Sequence, residues 1–137
     1  MAATWTLEFP YRRSLGPVIG GFLAGLRDQR VVGVRTAGGR VLVPPLEYDP
    51  ETGEQTGDEV EVGTAGVVEH SAWISEPLRT HPTDQPFAWV LVRLDGADTS
   101  LLHIAHEAVA PGDRVRIRWR EEREGKITDI ECFEVEP

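Results

Sequence analysis

The residues of this chain that could perform acid–base or nucleophilic chemistry are few and widely spaced. His103 and His106 form its one close histidine pair, but they straddle the end of an apolar strand, where this spacing points two side chains to opposite faces. Cys132 stands between Glu131 and Phe133, and nearby carboxylates raise the pKa of a thiol and weaken it as a nucleophile. We therefore expect neither a histidine metal site nor a catalytic cysteine.

Motifs that carry catalytic function in other proteins are also missing from the sequence. It contains no nucleophile elbow, no phosphate-binding loop and no dinucleotide-binding fingerprint, each of which requires a fixed spacing of glycines around its reactive residue. We expect that the chain is not an enzyme by itself and that it binds no cofactor.

An alternating strand over residues 114–120 places four arginines on one face. These are Arg114, Arg116, Arg118 and Arg120. Such a stripe suits the phosphates of coenzyme A, a nucleic acid or an acidic partner. The following strand carries Asp129, Glu131 and Glu134, however, and cross-strand ion pairs with these carboxylates would consume much of the charge. We therefore expect cross-strand ion pairs rather than a ligand-binding stripe.

Composition limits the partners and the compartment. The chain has 137 residues with 14 Lys and Arg against 23 Asp and Glu, a net charge of −9, which disfavours general binding to a phosphate backbone. A single cysteine excludes an internal disulfide and a cysteine-rich zinc site. No secretion signal or membrane-spanning run is visible, so we expect a cytoplasmic protein.

Apolar residues before residue 30 predict a partner-docking surface. Alternating aromatic residues predict an extended arm over 1–13, and apolar residues at helical spacing predict a helix over 17–28 that begins at Pro17. The predicted docking residues are Trp5, Phe9, Tyr11, Val18, Ile19, Gly21, Phe22, Leu23, Gly25 and Leu26. Glycines one helical turn apart would admit a partner's backbone, and aromatic anchors often dominate an interface. Alternatively, the same residues form an internal plug of the chain's own barrel.

The remaining sequence predicts a mostly β protein. A hairpin is expected over 31–45 and an acidic, turn-rich segment over 46–62. Five strands follow, at 65–74, 87–95, 99–104, 114–120 and 126–135. Five strands with little helix indicate an OB-fold barrel. We divide the chain into an arm and helix (1–30), a hairpin region (31–62) and the barrel (63–137).

This order of parts resembles a known family, the acyl-CoA-associated OB-fold proteins with an N-terminal rubredoxin-like zinc ribbon. The resemblance rests on the helix motif Phe22-Leu23-x-x-Leu26-Arg27, on the segment Gly39-Arg40-x-x-x-Pro44-Pro45 and on the turn that follows. In that family each of two turns presents a C-x-x-C pair to zinc. The corresponding residues here are Arg35, Gly38, Asp49 and Thr52, which cannot form a tetrahedral zinc site. The resemblance therefore implies a degenerate ribbon without metal, and we also consider an Arg35–Asp49 ion pair in place of the ligands.

The family resemblance also implies a function. Its members accompany thiolase-like enzymes as small non-catalytic subunits, and this chain looks most like those that pair with lipid-transfer-protein-type thiolases or aldolases in steroid side-chain degradation. The implied partner is such an aldolase, with a coenzyme A thioester as the substrate of the complex and two copies of each chain. A stand-alone acyl-CoA or lipid-binding module remains an alternative, as does an OB-fold nucleic-acid binder.

Overall fold

The computed structural model describes the backbone from residue 8 to residue 137 and the side chains from residue 16 onward. Its elements in chain order are α1 (Glu8–Arg27), β1 (Val31–Arg35), β2 (Val41–Leu42), β3 (Glu59–Val62), β4 (Ala65–Ile74), β5 (Phe87–Leu94), β6 (Leu101–Ala105), β7 (Arg114–Trp119) and β8 (Ile130–Val135). A short 3₁₀ turn, Ile127–Asp129, precedes β8. No helix among the described residues has the length and apolar character needed to span a membrane.

The N-terminal helix begins earlier than the sequence pattern predicts. Residues 8–13 are helical, so the prediction of an extended arm over 1–13 is wrong for this part, and Trp5 lies outside the described residues. Pro10 is compatible with the helix because it falls in the first turn, where backbone N–H groups have no intrahelical acceptor. Gly16 interrupts α1 with a φ of 71°, and the segment that starts at Pro17 corresponds to the predicted helix.

After α1, a small three-stranded sheet has the order β2-β1-β3. The predicted hairpin is present, with Val34 opposite Leu42. The sheet's third strand, β3, lies in the segment predicted as acidic turns, and it pairs antiparallel with β1 so that Val31 faces Val62. Gly33 is needed in β1 because a Cβ atom there would collide with the backbone carbonyl of Leu42.

The five remaining strands form the closed barrel that the sequence predicts, in the order β4-β5-β6-β8-β7. Neighbouring strands are antiparallel except β6 and β8, which run parallel and meet at one residue pair, Ala105 with Phe133. The barrel is therefore weakly closed along this seam, and the two strands diverge toward Leu102 and Ile130.

One hydrophobic core runs through the helix, the small sheet and the barrel. It includes Phe22 and Leu26 of α1, Val31 of β1 and Val90 and Phe133 of the barrel. A second, smaller cluster of Phe87, Ile104 and Cys132 lies apart from it, with Ile74 and Trp89 packed against it.

Polar contacts join the small sheet to the barrel. In the loop between β5 and β6, the Asp98 carboxylate accepts a hydrogen bond from the Val41 amide at 2.8 Å. The Thr99 hydroxyl accepts from the Val43 amide at 2.8 Å and donates to the Val43 carbonyl at 2.9 Å. These bonds satisfy backbone groups on the outer edge of the hairpin, which would otherwise be open to water or to another strand.

Candidate functional site

Carboxylates occupy most of the arginine stripe on β7. Arg114 binds Asp95 through two hydrogen bonds of 2.8 and 2.9 Å, and Arg116 donates to Glu134 at 2.9 Å. Arg118 pairs with Glu131 and Glu134. Hydrogen bonds from Arg116 and Arg118 hold the pKa of Glu134 below its ordinary value. The predicted cross-strand ion pairs with Glu131 and Glu134 are therefore confirmed.

Asp129 has a different role from the one predicted for it. Its side chain is buried and accepts hydrogen bonds from the backbone amides of Glu124, Gly125 and Lys126. The prediction of a cross-strand ion pair for Asp129 is wrong, because the carboxylate turns into the loop before β8 and holds it closed.

Arg120 differs from the three arginines before it. Its Nε atom donates to the carbonyl of Thr128, and it is absent from the ion pairs found among the described residues. Its neighbours Glu121 and Glu122 also lie outside those ion pairs. Arg120 thus keeps a guanidinium that is fixed at one nitrogen and has no carboxylate partner in the described part of the chain.

The helix face predicted to dock a partner is partly used inside the chain. Phe22 and Leu26 are 4% and 0% exposed and belong to the shared core, which favours the alternative of an internal plug for these two residues. Val18, Ile19 and Leu23 are half-buried. Phe9 and Tyr11 lie on the helical backbone, and their side chains are outside the described part of the chain.

The helix glycines contact the chain's own residues. A Cβ atom on Gly21 would collide with the Glu59 carboxylate, and one on Gly25 would lie 3.1 Å from the Arg30 carbonyl oxygen. The Gly25 carbonyl also accepts a hydrogen bond of 2.8 Å from the Arg30 amide, and this bond lies at the end of the helix. The space at these two glycines is therefore filled from within, which corrects the prediction that it admits a partner's backbone.

The positions that resemble zinc ligands form two turns. At the first, the Arg35 guanidinium donates to the Gly39 carbonyl at 3.2 Å, beside the exposed Gly38. At the second, the Asp49 carboxylate accepts the Glu51 amide at 2.8 Å, and the Thr52 hydroxyl accepts the Glu54 amide. The Arg35–Asp49 ion pair is not formed, because each side chain is bound within its own turn.

Metal-ligating and nucleophilic side chains are scattered. No group of three or more His, Cys, Asp or Glu side chains suited to a metal ion occurs in the part of the chain that the structure describes. Cys132 is buried in β8, and burial raises the pKa of its thiol. His106 is exposed, whereas His103 is half-buried, and burial lowers its pKa.

A pocket opens along the seam where β6 and β8 diverge. It has a volume of about 200 Å³ and is lined by Pro82, Trp89, Leu102, His103, Ile104, Arg120, Ile127, Thr128, Ile130 and Glu131. Its walls are mainly apolar, and Leu102 and Ile127 are 54% and 39% exposed beside it. The loop between β4 and β5 contributes Pro82, and His81 of that loop packs edge-on against Phe87 and Trp89. We call this the seam pocket.

Comparison with known proteins finds a family model that matches part of the barrel. Residues 59–120, which run from β3 to the end of β7, match the family model described as the C-terminal OB-fold domain of ChsH2. This part of the barrel is similar to the ChsH2 OB-fold domain. The match spans just under half of the chain and leaves β8 and the N-terminal region outside it. No protein of curated function matches the chain.

Two solved structures resemble most of this chain in fold. One is a protein of unknown function from the DUF35 family of Sulfolobus solfataricus, 24% identical, with a TM-score of 0.63 over 78% of this chain and 80% of that one. The other is the Ltp2-ChsH2(DUF35) aldolase, 22% identical, with a TM-score of 0.61 over 80% of this chain and 89% of that one. These likenesses show a shared fold.

Sequence reasoning did not find the seam pocket. An available signal was Leu102, an apolar residue that neighbours Leu101 in a strand where one of the two must point outward. Ile127 is a second signal, because it is an apolar residue in an otherwise polar loop. The pocket itself depends on how far β6 and β8 diverge, which no local pattern reports.

Proposed function

We propose that this chain is a non-catalytic accessory subunit of a thiolase-like, lipid-transfer-protein-type aldolase that acts on acyl-CoA. The match of residues 59–120 to the ChsH2 OB-fold domain carries the proposal. The likeness of the fold to a chain of the Ltp2-ChsH2(DUF35) aldolase supports it. In this role the chain docks on the partner enzyme and stabilises it, and the partner supplies the catalytic groups.

The chemistry of the described side chains is consistent with a supporting role. A nucleophile must be activated by a base or by a lowered pKa, whereas burial raises the pKa of Cys132. His103 is committed to a contact of 3.2 Å between its Nε2 atom and the Ile127 carbonyl. Neither side chain is placed to activate the other or a bound substrate.

The proposal extends to the substrate and to the assembly. The substrate of the complex is a coenzyme A thioester, specifically that of a steroid side chain, and this chain binds no cofactor of its own. Closed symmetry is usual among oligomers, so the complex contains two copies of each chain. We place the complex in the cytoplasm. Ion pairs occupy Arg114, Arg116 and Arg118, so we do not propose the arginine stripe as a contact for the phosphates of coenzyme A.

The proposed docking surface is the part of α1 that is not buried within the chain. Val18, Ile19 and Leu23 keep partial exposure, and apolar residues of this kind at an interface supply contact area when they are covered by a partner. Trp5, Phe9 and Tyr11 remain part of the proposed surface.

Co-expression tests the proposed function. The chain is produced together with each thiolase-like protein of its source organism, and co-elution and carbon–carbon bond cleavage of acyl-CoA substrates are measured. We expect one partner to co-elute and to lose most of its activity without this chain. A partner that is equally active alone and elutes separately would contradict the proposal.

Matched variants test the docking surface separately. Ile19→Asp introduces a charge on the half-buried helix face, and Leu78→Asp introduces the same charge at a residue that is 65% exposed on the loop between β4 and β5. We expect Ile19→Asp to weaken co-elution and Leu78→Asp to leave it unchanged. If Ile19→Asp lowers the melting temperature but not the affinity, the helix face belongs to the internal core instead.

A further inference from the structure

The seam pocket is compact and mainly apolar. Its volume of about 200 Å³ equals about seven water molecules at their share of liquid volume. Pockets for drug-sized ligands are larger, roughly 300–1,000 Å³. The pocket therefore suits one ring or one short branched chain, which would contact Trp89, Leu102 and Ile127.

The rim of the pocket carries one cation whose charge is not neutralised by an ion pair in the described residues. The Arg120 guanidinium is held by its bond to the Thr128 carbonyl, which leaves its two terminal nitrogens to donate. Glu131 also lines the pocket. It forms an ion pair with Arg118 at 3.2 Å, so its charge is shared with Arg118 and is not available to Arg120 alone. Burial lowers the pKa of His103, so its ring is neutral near pH 7.

This arrangement favours a carboxylate over a phosphate. A guanidinium pairs with a carboxylate through two parallel hydrogen bonds. The single positive charge of the guanidinium then balances the single negative charge of the carboxylate. A phosphate dianion would bring a second negative charge to a rim that already contains Glu131 and is followed by Glu121 and Glu122. The described residues provide no further unpaired cation in the lining of the pocket to balance it.

We propose that the seam pocket binds a small, free apolar carboxylic acid. Its ring or branched chain lies against Trp89 and Leu102, and its carboxylate pairs with Arg120. This site goes beyond the proposed accessory function and does not depend on it, because every residue that forms it belongs to this chain.

Phenylacetate and phenylacetamide provide a matched pair of probes, because they have nearly the same shape and differ in charge. Binding to the full chain is measured by calorimetry and by the shifts of backbone and indole N–H signals in NMR spectra. We expect saturable binding of phenylacetate with shifts at Trp89 and Leu102. The amide should bind about tenfold more weakly, since a hydrogen bond to a charged group contributes more than a neutral one.

Variants separate the carboxylate contact from the apolar contact. Arg120→Gln should weaken phenylacetate binding about tenfold while leaving phenylacetamide unchanged, and Arg35→Gln removes the same charge far from the pocket and should have no effect. Leu102→Glu, at an exposed position, should abolish binding of phenylacetate by repulsion. Equal binding of acid and amide, shifts centred elsewhere, or no saturable binding would each overturn the proposal.

Discussion

The Nε2 atom of His103 lies 3.2 Å from the carbonyl oxygen of Ile127 and thereby links the two sides of the barrel seam. Because a carbonyl oxygen only accepts hydrogen bonds, Nε2 carries the proton of the neutral ring. Nδ1 is then an acceptor, and it is buried without a hydrogen-bond partner in the described residues. Protonation of Nδ1 would add a buried donor that nothing satisfies, which explains why burial keeps the pKa of this ring low.

The lowered pKa of His103 predicts a loss of stability in mild acid. Above the ordinary pKa of 6.5, the ring is neutral in both the folded and the unfolded chain. As pH falls below that value, the unfolded chain takes up a proton that the folded chain does not, so the free energy of unfolding decreases. Urea unfolding at pH 8 and pH 5 should show that His103→Leu reduces this decrease.

The exposed His106 provides the control for this measurement. His106→Leu removes an exposed imidazole at the end of β6 and reports what a His-to-Leu substitution by itself does to the free energy of unfolding. An equal pH dependence in His103→Leu and the unaltered chain would contradict the structural role of the ring.

Phe22 should contribute to stability more than to partner binding. The side chain is 4% exposed within the shared core, so Phe22→Ala should lower the free energy of unfolding by about 3 kcal/mol, as other Phe truncations in cores do. Leu78→Ala, at an exposed position, should change it by less than about 0.5 kcal/mol. A Phe22→Ala chain that unfolds normally but binds its partner weakly would restore the docking assignment.

Two glycines should respond to alanine in opposite directions. A Cβ atom on Gly66 of β4 would collide with backbone atoms of Arg93 and Leu94, whereas one on Gly20 of α1 meets nothing within 4 Å. Gly66→Ala should therefore destabilise the chain by about 1–3 kcal/mol through overpacking. Gly20→Ala should stabilise it by up to about 1 kcal/mol through helix propensity. Thermal and urea unfolding of both variants measure this contrast, and changes of the same sign would refute it.

Asp129 should stabilise the loop before β8 through its charge. Burial acts to raise the pKa of this carboxyl, but three backbone hydrogen bonds and the nearby Arg123 bring it below its ordinary value of 3.8. Its contribution is present above that pH and is lost as pH falls through the folded-state pKa. Asp129→Asn should therefore lower the free energy of unfolding at pH 7 by about 2 kcal/mol.

Asp84→Asn, in an exposed loop, is the control for the Asp129 substitution and should have little effect. Amide hydrogen exchange of Glu124 and Gly125 gives a local readout, because their N–H groups donate to Asp129. Unchanged exchange in Asp129→Asn would show that the carboxylate does not hold this loop.

Local patterns in the sequence were sufficient to predict the barrel strands, because more and less buried residues alternate along β7 and, from Ala88 onward, along β5. They also predicted ion pairs between the arginines of β7 and the carboxylates of the next strand, where Arg116 lies directly opposite Glu134. They failed at β3, where Glu59 and Glu61 alternate with Val60 and Val62 over only four residues. That strand is stabilised by pairing with β1, a contact distant in sequence.

The elements that sequence reasoning missed share a dependence on long-range contacts. The alternation of aromatic residues over 1–13 predicted an extended arm, although the backbone is helical from Glu8 onward. The burial of Phe22 depends on the barrel beneath it, and the seam pocket depends on the single residue pair between Ala105 and Phe133. Such contacts are fixed by packing of the whole chain, and a window of neighbouring residues does not contain them.

The hydrogen bonds that the hairpin amides of Val41 and Val43 donate to Asp98 and Thr99 have a consequence for folding. They connect residues 57 and 56 positions apart in the chain, so the entropy lost in closing these long loops precedes their formation. The small sheet thus acquires its edge contacts only once the loop between β5 and β6 is in place. Hairpin and barrel should consequently melt together, with one heat-absorption peak in a calorimeter.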